Sequence, residues 1–297
     1  MSALITDERA AFHQGLIASG TLVVAQVKPK NAPAPFDSAT FADASSPLSV
    51  RLGLDIASQL GVPHAQARHV GQSAGTQFER AVQSFLASTF PRLSTLRPGD
   101  WQVNNVGGAR NKVHHLAKYD PYRHLDDLAK AIDRDPTLAS VLGNSYEISP
   151  DVIVIRNPEA DATINSVDNL VDGSAANLAP LRSANQPHGI VHAVISCKWT
   201  LRSDRAQNAR SEALNIIRNR KGRTPHIAVV TAEPTPFRLA SLALGTGDLD
   251  TVYHFALPEL LAATKRSGDP DAVQMLDTLV DGRRLRDIAD LPLDLAV

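Results

Sequence analysis

Four short apolar runs constrain the fold more than anything else in the chain. They are Asp151-Val152-Ile153-Val154-Ile155, Val191-His192-Ala193-Val194-Ile195-Ser196, His226-Ile227-Ala228-Val229-Val230-Thr231 and Thr251-Val252-Tyr253-His254-Phe255-Ala256. A strand with one wet face alternates apolar and polar residues; a run that is apolar at nearly every position needs cover on both faces. Between the second and third runs, residues 204–220 carry Ala206, Ala209, Ala213, Ile216 and Ile217 at the spacing of a helix stripe. Strand, helix, strand suggests a parallel crossover of right-handed sense. The sequence therefore predicts an α/β fold, its sheet flanked by helices.

Around these runs the pattern is helical or irregular. Helices are expected over 7–19 (Phe12, Leu16, Ile17 on one stripe), 50–60, and 73–89, where Phe78, Val82, Phe85 and Leu86 recur at helical spacing. Residues 28–46, rich in Pro, Ala, Asp and Ser, read as an irregular arm. Pro98-Gly99-Asp100 marks a turn before a strand at Trp101-Gln102-Val103, and helices are expected at 121–133 and 136–143. Residues 158–189 form a long polar excursion, and long loops of that kind tend to be functional or disordered. The expected organisation is a single domain over 1–297, with a helical and arm region at about 1–100 and an α/β core at about 101–297.

Composition excludes several classes. No apolar run approaches the ~20 residues needed to span a bilayer, so no membrane partner is expected. The N-terminus, Met1-Ser2-Ala3-Leu4-Ile5-Thr6-Asp7-Glu8, has neither a basic region nor an apolar signal core, and a single cysteine permits no internal disulfide; both suit a cytoplasmic location. The net charge of −1 gives no global sign of nucleic acid, but between Ser196 and Arg223 eight basic residues face two acidic ones. Such a run standing alone is usually a solvated face.

Chemistry concentrates at two strand ends. Asp151 follows Pro150, whose fixed φ favours an extended start to the strand, and Lys198 closes the neighbouring run Ile195-Ser196-Cys197-Lys198. These two strands are read as parallel neighbours that set a carboxylate and an ammonium at one sheet edge. Phosphodiester hydrolysis needs a hard cation on oxygen ligands, an activated water and relief of phosphate charge. Asp151 suits Mg²⁺; Lys198 suits water or the developing charge. The position two residues before the lysine holds Ser196, not a second carboxylate. Arg205, Asn208 and Glu212 lie at i, i+3 and i+7 along one flank of the following helix, so Glu212 can lean back toward Asp151 and Lys198. Glu79 is a second candidate. Each signal is weak by itself, since a Pro-Asp pair is usually a turn and a helical glutamate is usually solvated.

Arg202-Ser203-Asp204-Arg205 follows at the head of that helix, with Ser203 as its expected N-cap. Arginine forks onto guanine O6 and N7, aspartate accepts from cytosine N4, and a helix N-terminus adds phosphate contacts. The bland alternative is a cap with surface ion pairs. Gly245-Thr246-Gly247 reads as a turn, and His192, His226 and His254 as structural.

The segment from Ser196 through Glu212, and the run from Asn219-Arg220-Lys221-Gly222-Arg223 to Thr231-Ala232-Glu233-Pro234-Thr235-Pro236, resemble the NgoMIV-like type II restriction endonucleases of the CCGG group, within the PD-(D/E)xK superfamily. The likeness runs from the first helix to Asp290-Leu291-Pro292-Leu293-Asp294. It implies a restriction-endonuclease-like central mixed β-sheet, a homotetramer built as a dimer of dimers, and two Mg²⁺ ions per active site. Asp151 would bridge the ions, with the Cys197 carbonyl and Glu212 as further ligands; Lys198 would serve the attacking water, and Ser196, Glu212 and Glu79 would complete the pocket. Arg202, Asp204 and Arg205, with Ser203, would read the inner CCGG of double-stranded DNA. Gln72 would reach the minor groove, and Asp43 and Arg238 would read the outer G·C pair. The implied site is GCCGGC, cut after the first G to leave 5′-CCGG extensions, in a bacterial system that includes a cognate methyltransferase. Two other readings stay open: a DNA-binding protein that has lost catalysis, with Ser196 as its mark, and a nuclease of the same fold with a related site such as RCCGGY.

Overall fold

The computed structural model describes residues 2–30, 32–65, 71–106, 116–135, 137, 140, 150–201, 203–245 and 247–297; for 71–73 and 203–206 it describes the backbone alone. A central six-stranded sheet runs in the order β3 (Trp101–Asn105), β4 (Val152–Arg156), β5 (Ile190–Lys198), β6 (His226–Thr231), β7 (Thr251–His254), β8 (Leu285–Asp287). β3, β4 and β5 pair antiparallel, and β5 through β8 pair parallel, so the sheet is mixed. Val152, Ile153, Val154 and Ile155 are all buried, as are Val229 and Val230, which is why these runs carry no alternation.

Helices cover the sheet. α1 (Leu4–Ala18) buries Phe12, His13 and Leu16 and packs against α3 (Gly71–Thr89). α2 (Pro47–Gln59) starts on Ser46, whose hydroxyl accepts the Ser49 N–H, with Pro47 at the first helical position, where a missing N–H costs nothing. α4 (His124–Arg134) and a short α5 (Asp161–Ile164) precede α6 (Ser203–Asn219), the crossover from β5 to β6. α7 (Pro236–Ala243) joins β6 to β7, and α8 (Leu257–Ser267) with α9 (Pro270–Asp281) joins β7 to β8. Residues from the N-terminal region and from the core share one hydrophobic cluster. At its centre the Trp199 ring meets Phe41, Phe78 and Phe255 with centroids 5.8, 5.0 and 6.0 Å away.

The structure departs from expectation at four places. The strands carrying Asp151 and Lys198 are antiparallel, not parallel. Geometry demands this: Asp151 precedes its strand and Lys198 ends the next, and only opposed neighbours bring a start and an end to the same edge. The arm at 28–46 is partly regular, because β1 (Val24–Val27) pairs antiparallel with β2 (Phe36–Ala39). β8 went unread; three residues, Leu285-Arg286-Asp287, are too few to show a period. The last expected strand stops at His254, two residues early. Most of the helix expected at 136–143 lies outside the described residues.

The excursion at 158–189 is built around one side chain. The buried Arg182 donates to both carboxylate oxygens of Asp161 at 2.9 and 2.6 Å, and to the Ala175 and Asp172 carbonyls at 2.6 and 3.0 Å.

Candidate active site

Asp151 and Lys198 meet where β4 begins and β5 ends. The Cys197 N–H donates to Asp151 Oδ2 at 2.7 Å, and Lys198 Nζ stands 3.5 Å from the same oxygen. Glu212, in the middle of α6, turns back toward them. Its Oε2 accepts the Ser196 hydroxyl at 3.2 Å and lies 3.8 Å from Lys198 Nζ. A carboxylate is thus delivered from the helix to the place where the strand carries only a serine, and that serine holds it. The Asp151 and Lys198 side chains are 11% and 14% exposed, a nearly dry pair; Glu212, at 40%, keeps contact with water.

Electrostatics sets the protonation states. Burial works against charge on Lys198, but Asp151 and Glu212 outweigh it and hold the amine's pKa above its usual value, so it is an ammonium at neutral pH. The Cys197 thiol is pushed far up by burial and by the negative charges of Asp151 and Glu79, and it stays protonated. Glu79 is itself buried on α3, one residue after the Phe78 ring that packs against Trp199. The same helix packing therefore brings a third acid within electrostatic range of the strand end.

Among the described residues no group of three His, Cys, Asp or Glu side chains is placed to hold a metal ion. Two carboxylates are in place, Asp151 and Glu212, with the Lys198 ammonium near both. Mg²⁺ commonly takes one or two protein carboxylates and fills its remaining positions with water, carbonyl oxygen and substrate phosphate. The carboxylate oxygens of Asp151 and Glu212 fit that ion by chemistry.

The expected base-reading residues divide. Arg202 lies outside the described residues, as do the side chains of Ser203, Asp204, Arg205 and Gln72. The backbone places Ser203, Asp204 and Arg205 in the first turn of α6, with Ser203 as the first helical residue, and Gln72 in the first turn of α3. Asp43 and Arg238, 195 residues apart, are brought together, with Arg238 Nη2 donating to Asp43 Oδ2 at 2.5 Å. Asp43 Oδ1 accepts the Ser45 N–H and hydroxyl at 3.0 and 2.7 Å. Despite some burial, these bonds draw the Asp43 pKa down to about 2.

One acid beside them had no role assigned from sequence. Glu233 follows β6, is wholly buried, and faces Arg238 Nη1 at 3.5 Å. The available signal was a glutamate at the end of an apolar run, held among Thr231, Pro234 and Pro236, where a solvated charge would be unusual.

Comparison with known proteins decides the family. The sequence model of the NgoMIV restriction enzyme matches residues 12–297. The chain belongs to the NgoMIV restriction enzyme family. It is 48% identical over 297 residues to the type II restriction enzyme NgoMIV of Neisseria gonorrhoeae, with all of both chains covered. As an NgoMIV-family member it is a type II restriction endonuclease, a site-specific nuclease that acts on DNA. Among solved structures, the type IIF restriction endonuclease Bse634I with cognate DNA is similar at a TM-score of 0.34 and 11% identity, over 87% of this chain and 96% of that one. The restriction endonuclease PspGI in complex with substrate DNA follows at 0.25 and 16%, over 84% and 92%. Those two likenesses are too distant to argue from. Among the described residues no helix is long and apolar enough to cross a membrane.

Proposed function

We propose that the chain cleaves double-stranded DNA at GCCGGC, after the first G, leaving 5′-CCGG extensions, in a Mg²⁺-dependent reaction with two ions per site. One observation carries the catalytic part of the reading: Asp151, Ser196, Lys198 and Glu212, from two strands and a helix, converge on one sheet edge. Asp151, Glu212 and the Cys197 carbonyl would hold Mg²⁺, which would supply Lewis acidity toward the scissile phosphate and the attacking water. Lys198, kept cationic by its two carboxylates, orients the attacking water and offsets the charge that grows on the phosphate. Ser196 fixes the Glu212 carboxylate, the Cys197 N–H fixes Asp151, and Glu79 completes the acidic side of the pocket.

Sequence readout falls to the residues around it. Arg202, Asp204 and Arg205, with Ser203, read the inner CCGG; Gln72 enters the minor groove; Asp43 and Arg238 read the outer G·C pair. Arginine for guanine and aspartate for cytosine N4 are the pairings major-groove geometry favours. The twofold symmetry of the site asks for a twofold dimer, and we extend this to a tetramer of two dimers engaging two sites. A bacterial cytoplasm and a cognate methyltransferase that shields the host genome complete the reading.

The test is sequencing of the fragment ends from plasmids incubated with protein and Mg²⁺. Ends beginning 5′-CCGG, each preceded by G at the cut, are expected, with two-site plasmids cut faster than one-site plasmids. Ends at RCCGGY sites outside GCCGGC would replace the outer-pair assignment; no cleavage, with specific binding retained, would replace the catalytic one.

A further inference from the structure

Glu233 has an unusual set of partners for a side chain with 1% exposure. Its Oε1 accepts the Thr235 N–H at 3.0 Å, and its Oε2 accepts the Leu201 N–H at 3.2 Å while facing Arg238 Nη1 at 3.5 Å. The same Nη1 donates to the Leu201 carbonyl at 3.4 Å, so the carboxylate and the guanidinium grip both polar groups of Leu201. Arg238 Nη2 reaches on to Asp43. Leu201 immediately precedes Arg202. Four distant pieces of chain thus meet at one buried charge: the segment after β5, the end of β6, the first turn of α7, and the loop holding Asp43.

We infer that Glu233 is a positioning residue for outer-pair readout, fixing the Arg238 guanidinium against the Leu201 backbone so that it meets the outer base pair in one orientation. The inference rests on the reading above in which Arg238 contacts the outer G·C pair. An arginine free to rotate loses rotamer freedom when it docks on a base, and it can settle on any nearby phosphate. Held between Glu233 and Asp43, it has spent that freedom before DNA arrives, and its five N–H groups leave donors for guanine. A buried carboxylate costs free energy unless paired and hydrogen-bonded, and here each of its oxygens is engaged. A loop needing only a cap would be served as well by a neutral Asn or Ser; the charge is needed by Arg238.

Glu233→Gln keeps the size and one acceptor oxygen and removes the charge. The measurement is single-turnover cleavage of GCCGGC, of ACCGGT with its outer pair changed, and of GCTAGC with its inner pair changed, by wild type, Glu233→Gln, Arg238→Ala and the double variant. Glu233→Gln should narrow the preference for GCCGGC over ACCGGT by about tenfold, while the preference over GCTAGC stays within about twofold of wild type. The double variant should discriminate no worse than Arg238→Ala alone, because Glu233 acts through Arg238. A merely structural glutamate would lower rates on all three duplexes together and leave both preferences intact, and that result overturns the inference. If Arg238→Ala keeps outer discrimination, the assignment of Arg238 fails and this inference with it; if Arg238→Ala loses it while Glu233→Gln does not, only the role of Glu233 fails. Glu233→Asp, with the charge kept and the reach shortened, gives the same reading should the Gln variant not fold, and a chain that folds with neither residue overturns the positioning role.

Discussion

Oδ2 of Asp151 lies 3.5 Å from Nζ of Lys198, and the oxygen is held there by the Cys197 N–H at 2.7 Å. The pairing depends on an antiparallel register in which Val152 faces Ile195, so that the residue before one strand meets the last residues of the other. Neither side chain has to search for the other. The sheet places both in advance, and preorganisation of this kind is what the proposed reaction would need.

Glu212 approaches the same ammonium from a helix and is tied by the Ser196 hydroxyl. Glu212→Gln should raise the Mg²⁺ concentration needed for half-maximal cleavage on the order of tenfold or more. Ser196→Ala should shift it in the same direction by less, because it frees the carboxylate without removing it. Metal titrations of initial cleavage rate check both; an unchanged Mg²⁺ requirement in Glu212→Gln would remove Glu212 from the ligand set.

Arg9 carries a separate burden. It donates to Glu259 at 2.6 and 3.0 Å and to Asp287 at 2.8 and 3.0 Å, tying α1 to α8 and to the end of β8. Arg9→Ala leaves two mostly buried carboxylates without their cation and should cost about 2–4 kcal/mol in urea unfolding, somewhat less than for a fully dry site. Burial works against the Glu259 charge, but Arg9 holds its pKa below the usual carboxylate range. A depressed carboxylate stabilises above its unfolded pKa and loses that effect as pH falls through the folded value. The variant's deficit should therefore be full at pH 7 and shrink in acid.

His192 and His254 give the protein a second pH dependence. Burial lowers both pKa values to about 4; His192 Nε2 meets the Leu295 carbonyl at 2.7 Å, which opposes the shift, while His254 Nδ1 accepts the Ala256 N–H at 3.1 Å, which needs the neutral ring. The folded state thus prefers the neutral rings, while the unfolded chain takes up protons near pH 6.5. Stability is full above that value and falls as pH drops toward 4, by about 2 kcal/mol per histidine at pH 5. Thermal melts from pH 7.5 to 5 should show the decline, and His192→Gln should flatten part of it. A Tm that does not fall over that range would contradict the buried neutral histidines.

The elements that could be read in the sequence are those with a repeating physical demand. Continuous burial wrote β4, β5 and β6 into plain apolar runs, and the alanine and isoleucine stripe wrote α6; Ala209, Ala213 and Ile216 are buried there. The meeting of Glu212 with Lys198 was legible because helix periodicity sets which flank a side chain occupies. Strand direction was not legible, since an apolar run looks alike either way round. The β1–β2 pair was hidden by short strands and by the Pro and Ala of the link between them. Glu233 was missed because its partners, Leu201, Thr235 and Arg238, come together only in the folded chain, where tertiary packing turns a charge beside prolines into a buried anchor.

The most direct test of the catalytic site is the Asp151→Ala variant, measured for single-turnover cleavage of a GCCGGC duplex with Mg²⁺ and, in parallel, for binding of the same duplex by gel shift. Cleavage should fall by at least about 10³-fold while the binding affinity stays close to wild type. An Asp151→Ala protein that cuts at the normal rate would contradict the site at the edge of β4 and β5.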